Sequence, residues 1–118
     1  MGYYCHHVVV VVVHDVLERG HAQRIYEQAT EIWARSGLTA RPMISAPGNN
    51  NTITVVCPSD GSKEGMPASD RGEAARAEFV RWLRENDESV MYWVELHMDE
   101  GGGRLVADSD IYEEAPDA

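Results

Sequence analysis

Residues 8–13 are six consecutive valines, and no other stretch of the chain restricts the possible folds so strongly. β-Branched side chains favour extended backbone, and a strand sends alternate side chains to opposite faces of its sheet. An unbroken apolar run therefore calls for cover on both faces, which places this strand in the middle of a sheet rather than at a half-solvated edge. A chain of 118 residues has helices enough for one face only. The other face is expected to meet a second copy of the protein, a homodimer through the open sheet face.

The length fits one domain with a real hydrophobic core. The formal net charge of −10 is unevenly spread: residues 99–118 contain seven acids against Arg104 alone, a net −6. The acidity thus gathers in a C-terminal hairpin and tail. A nucleic-acid binder would show a basic stripe instead, so no nucleic-acid partner is expected. The valine run is too short to span a bilayer and has no signal-peptide flanks, so no membrane partner is expected either. Cys5 and Cys57 form no CxxC pair. Together these features predict a cytoplasmic protein.

Punctuation along the chain gives the element order. A first strand over Tyr4 to Val13 leads to Asp15, which has capping-box spacing to Glu18. Ala22, Ile25, Tyr26, Ala29, Ile32 and Trp33 follow at helical spacing, with Gly37 as C-terminal cap. Leu38 to Ser45 reads as a strand, made an edge by Pro42. A turn over Ala46 to Asn51 precedes a third strand, Thr52 to Cys57. A second helix is expected from Asp70 to Glu85, with Asp70 and Glu73 at capping-box spacing. Val90 to Met98 and Arg104 to Ala107 read as strands joined by a glycine-rich turn.

The order β-α-β-β-α-β predicts an α+β, ferredoxin-like sandwich, an antiparallel sheet with two helices on one face and a short extra C-terminal strand. In that topology strand order 4-1-3-2 puts the valine strand centrally. The domain is expected to occupy residues 1–107, with 108–118 as an acidic tail.

Two places hold candidate chemistry. The topology brings Cys5, His6, His7, Cys57 and His97 to one end of the sheet. Their spacing fits no zinc motif, and alternation sends His6 and His7 to opposite faces, so no metal and no cofactor is expected. The second place is the polar loop Ser59, Asp60, Ser62, Lys63 and Glu64. It runs toward Asp70 at a helix N-terminus, where positive potential gathers. Its first half imitates a calcium loop, but Arg71 stands where the terminal acid is needed. Ligand or partner binding is therefore assigned to His6, His7, Ser59, Asp60, Ser62, Lys63, Glu64 and Asp70. No nucleophile stands out, and catalysis is disfavoured.

Asp60-Gly61-Ser62-Lys63-Glu64-Gly65, with Ser69-Asp70, Gly72, Arg76, Phe79, Trp82-Leu83, Trp93-Val94-Glu95 and Ser109-Asp110, resembles a group of small phage-encoded α/β proteins of unknown function with a DGSKEG-type loop. Met66 stands where that pattern has a tryptophan. The resemblance implies a phage or prophage origin. On it rests the expectation of a non-catalytic accessory binding protein that modulates a host component, with a host protein as partner. The alternatives are a small metal-dependent hydrolase and a binder of a small anionic ligand.

Overall fold

The structure is a computed structural model and describes residues 6–15, 20–59, 61, 66–86 and 91–109. In chain order its elements are β1 (His6–His14), α1 (His21–Arg35), β2 (Met43–Ile44), β3 (Thr52–Cys57), α2 (Pro67–Glu85), β4 (Met91–Asp99) and β5 (Gly102–Asp108). The strands form one sheet in the order β2-β3-β1-β4-β5, and every neighbouring pair is antiparallel. This is the expected α+β ferredoxin-like sandwich, with β5 added beside β4.

The valine run is divided by the pleat as its sequence requires. Val9, Val11 and Val13 are fully buried beneath the helices, whereas Val8, Val10 and Val12 face the other way and are half-buried. Register then fixes every facing residue. Val9, Val11 and Val13 lie opposite Cys57, Val55 and Ile53 on β3, and opposite Glu95, Trp93 and Met91 on β4. The core is completed by Ile25, Ala29, Ile32 and Trp33 of α1 and by Ala75, Phe79 and Leu83 of α2. Phe79 meets Trp33 edge-on and stacks on Trp82, geometries that aromatic quadrupoles favour.

The helix ends differ from the sequence reading in instructive ways. α1 begins at His21 rather than just after Asp15. Asp15 still organises the start, because its carboxylate accepts the backbone N–H groups of Gly20, His21 and Ala22 at 3.2–3.4 Å. It does so from a buried position a full connection away; Glu18, its expected capping partner, lies outside the described residues. Asp15 is also tied to the turn before β3, donating its N–H to the Asn51 carbonyl and accepting the Asn51 side-chain amide on its own. Replacing Asp15 with alanine should cost about 2 kcal/mol, the upper end for a capping residue, read as a fall in the chemical-denaturation midpoint. A change below a few tenths would remove Asp15 from this role.

At the other end of α1, Leu38 N–H bonds the Trp33 carbonyl and Gly37 N–H bonds that of Ala34. This is the Schellman pattern, made possible by φ +76° at Gly37. α2 begins earlier than the capping-box spacing suggested. Pro67 occupies its first position, where a missing N–H costs nothing, and Asp70 donates its N–H to Met66 as an ordinary first-turn residue. β2 shrinks from Leu38–Ser45 to Met43–Ile44, since Pro42 has no N–H for the ladder and Leu38 is drawn into the core instead. β5 runs to Asp108, and Ser109 extends the pairing by exchanging bonds with the Trp93 backbone. Residues 110–118, most of the expected acidic tail, lie outside the described residues. Among the described residues no helix is long and apolar enough to cross a membrane.

Candidate functional site

The inward register of β4 continues past Met91 and Trp93 to Glu95 and His97. A carboxylate and an imidazole thus stand on the helix-covered face of a core strand, where an apolar residue would be expected. β1 contributes His7, directly opposite His97. From above, α2 presents Glu73, Arg76, Ala77, Val80, Arg81 and Arg84 at the three- and four-residue spacing of a single helix face. Between them lies an open groove of about 640 Å³, bordered at the sheet edge by Ala107 of β5. Its size falls within the range of small-molecule sites.

Five side chains form a polar chain that runs from Asp99 to the cavity, which His7, Glu95 and Arg76 line. Asp99 Oδ2 lies 3.0 Å from His97 Nε2, and His97 Nδ1 lies 3.2 Å from His7 Nε2. His7 Nδ1 faces Glu95 Oε2 at 3.8 Å, and the same oxygen is 3.9 Å from Arg76 Nε. The proton positions follow from donor logic. A carboxylate only accepts, so His97 carries its proton on Nε2 and offers the Nδ1 lone pair to His7 Nε2–H. His7 Nδ1 is then left as a buried lone pair beside the Glu95 carboxylate, two acceptors that share a proton only when one of them is protonated. The two rings meet edge-to-face with centroids 4.7 Å apart.

The electrostatics favour a neutral imidazole there. Burial, then the positive charge of Arg76, then His97 and Arg104 push the His7 pKa down to about 4. Asp99 moves below the usual carboxylate range, held first by the His97 hydrogen bond and then by the Gly101 N–H. Because His7 binds its proton less readily in the folded than in the unfolded chain, its contribution to stability is intact above about pH 6.5 and is lost as pH falls toward 4. The His7 ring resonances should accordingly titrate with a midpoint near pH 4 in NMR spectra. A midpoint near 6.5 would show that the ring is solvated and outside this network.

The cavity wall is balanced in charge, with Glu73, Glu85 and Glu95 set against Arg76, Arg81 and Arg84. The Arg84 guanidinium lies 5.4 Å above the Trp93 ring, a cation–π contact that fixes its position at the rim. Such a site suits a ligand carrying both signs of charge beside an apolar body.

Of the residues singled out in the sequence, His7 is at the centre of this site, and its expected meeting with His97 takes place. His6 points to the opposite face, where its Nδ1 is 3.3 Å from Ser59 Oγ. Asp70 is exposed in the first turn of α2. Asp60, Ser62, Lys63, Glu64 and Cys5 lie outside the described residues. Cys57 is buried opposite Val9, and burial pushes its thiol pKa far up, away from nucleophilic chemistry. Among the described residues no group of three or more histidine, cysteine or acidic side chains could hold a metal ion. The sequence reading missed Arg76, Glu95 and Asp99. Their signals were present: Arg76 sits on the apolar stripe of Ala75, Phe79 and Leu83, and Glu95 falls in step with Met91 and Trp93.

No protein-family model matches the chain, and no curated protein is similar to it in sequence. In the solved structures it is similar to a phage SAM lyase in complex with S-methyl-5′-thioadenosine, with a TM-score of 0.51 and 12% sequence identity over 95% of each chain. That likeness establishes the fold. It also corrects the expectation of a non-catalytic accessory binder of a host component: over 95% of its length the chain shares its fold with a phage enzyme, and the helix-covered side of its sheet carries a groove lined by His7 and Glu95.

Proposed function

We propose that this chain is an enzyme that cleaves a carbon–sulfur bond in a sulfonium nucleoside of the S-adenosylmethionine class, releasing S-methyl-5′-thioadenosine. The observation that carries the reading is the Asp99–His97–His7 chain, which ends in a cavity beside Glu95 with its terminal imidazole neutral. The shared fold supports the substrate class, since the solved lyase holds S-methyl-5′-thioadenosine. The charge pattern supports it too. A sulfonium amino acid brings two positive charges and one carboxylate, for which the cavity offers three acids and three arginines.

In this reading each group has a role that follows from its surroundings. The Glu95 carboxylate, its side chain only 16% exposed, favours the sulfonium cation. Arg81 and Arg84 at the rim take the substrate carboxylate. The carbon–sulfur bond breaks with its electron pair going to sulfur, which leaves as a neutral thioether. His7 accepts a proton from the carbon adjacent to the one that loses sulfur, and that C–H electron pair becomes the new carbon–carbon double bond. His97 and Asp99 hold His7 with its Nε2–H committed to His97, leaving Nδ1, buried beside Glu95, as the proton acceptor once the substrate is seated.

Two cysteines without paired spacing, one of them buried, fit a reducing cytoplasm. A phage or prophage origin is part of the same proposal.

The test is direct. Purified protein incubated with S-adenosylmethionine should release S-methyl-5′-thioadenosine, followed by liquid chromatography, at a rate well above that of a protein-free solution. No release above that background at micromolar enzyme would overturn the proposal.

A further inference from the structure

The face of the sheet opposite the helices is apolar, uncharged over most of its area and, among the described residues, covered by no helix. Its centre is made by Val10 and Leu96, half-buried, and its surface by Tyr92, Met98 and Leu105, exposed at 50%, 39% and 53%. Register shows why these residues share a face. Val10 and Val12 are opposite Val94 and Tyr92, Val10 is opposite Val56, and Leu96 is opposite Leu105. Among the described strand residues paired on this side, only Asp108, at the end of β5, carries a full charge.

We infer that this face is the interface between two copies of the chain, packed sheet to sheet about a two-fold axis. Charge selects the occupant. Each copy carries a net −10, so most modes of self-contact bring acids together, whereas this face brings almost none. Area is sufficient as well. Strands of 9, 2, 6, 9 and 7 residues, at ~3.3 Å per residue and ~4.8 Å spacing, give a plane of roughly 500 Å². Side-chain relief raises the accessible area toward the ~800 Å² per partner of a stable interface. Two antiparallel sheets pack face to face with strands within about 30° of alignment, their side chains interleaved. The cavity lies on the other side of the sheet, so this inference stands or falls independently of the proposed activity.

Light scattering at tens of micromolar should give twice the 13.1 kDa protomer mass. The double variant Tyr92→Lys, Leu105→Lys should give the single mass with an unchanged circular dichroism spectrum, because both side chains are already half-exposed in the protomer. Hydroxyl-radical footprinting provides a second readout on the unmodified protein: Tyr92 should be protected at high concentration and reactive on dilution. A monomeric parent protein, an assembly of three or more copies, or a dimer in which Tyr92 stays reactive would each overturn the inference. Protection of Tyr92 in a monomer would assign the face to another part of the same chain, and would overturn it equally.

Discussion

Replacing Glu95 with leucine should destabilise the protein by about 3 kcal/mol, the lower end of the range for breaking a buried ion pair. The carboxylate has only 16% of its side chain exposed and faces Arg76, whose side chain is 7% exposed, at 3.9 Å. Removing it leaves a guanidinium held under α2 without the carboxylate that faces it, at a position too deep for water to replace that partner fully. The separation is longer than a direct hydrogen bond, which is why the lower end applies. The double variant Arg76→Met, Glu95→Leu should recover most of the loss, since apolar groups of similar volume often replace a buried pair at little cost. A cycle of urea midpoints measures both terms. If Glu95→Leu alone changes stability by less than 0.5 kcal/mol, the pair is solvated and not as buried as described.

Replacing His7 with glutamine should lower the turnover of S-adenosylmethionine by about 10²- to 10⁴-fold, the usual contribution of a general base. Glutamine keeps a polar group of similar reach, but it offers no imidazole lone pair to accept a proton. Substrate binding should change little, because cation attraction is assigned to Glu95. A His97 variant acts only through His7, so it should shift the pH profile as well as the rate. Equal kcat for the parent and the His7→Gln protein would remove His7 from the chemistry and reduce the chain from Asp99 to a structural network.

Much of the fold was legible because its signals are local and periodic. The valine run demanded a central strand, and the two helices declared their buried faces through three- and four-residue spacing. Boundaries were less legible where a distant residue decides them. Asp15 looked like an adjacent cap, yet it reaches α1 from across a connection, which capping-box spacing does not encode. Pro42 marked an edge without showing how little of β2 would remain.

The site was half-legible. His7 and His97 could be brought together because strand order fixes which ends of strands meet. Arg76 and Glu95 were overlooked because each was counted within its own element, one as a helix residue and one as a strand residue. Only the packing of α2 over β4 makes them partners. The polar loop drew attention by composition alone, whereas the cavity owes its character to register.

If the cavity between α2 and β4 is the ligand site, NMR titration with S-methyl-5′-thioadenosine, the proposed product, should produce saturable shifts of the His7 and His97 rings and the Trp93 indole N–H, with His6, on the far face of the sheet, unmoved. Shifts confined to His6 and its neighbours, or none at millimolar ligand, would contradict it.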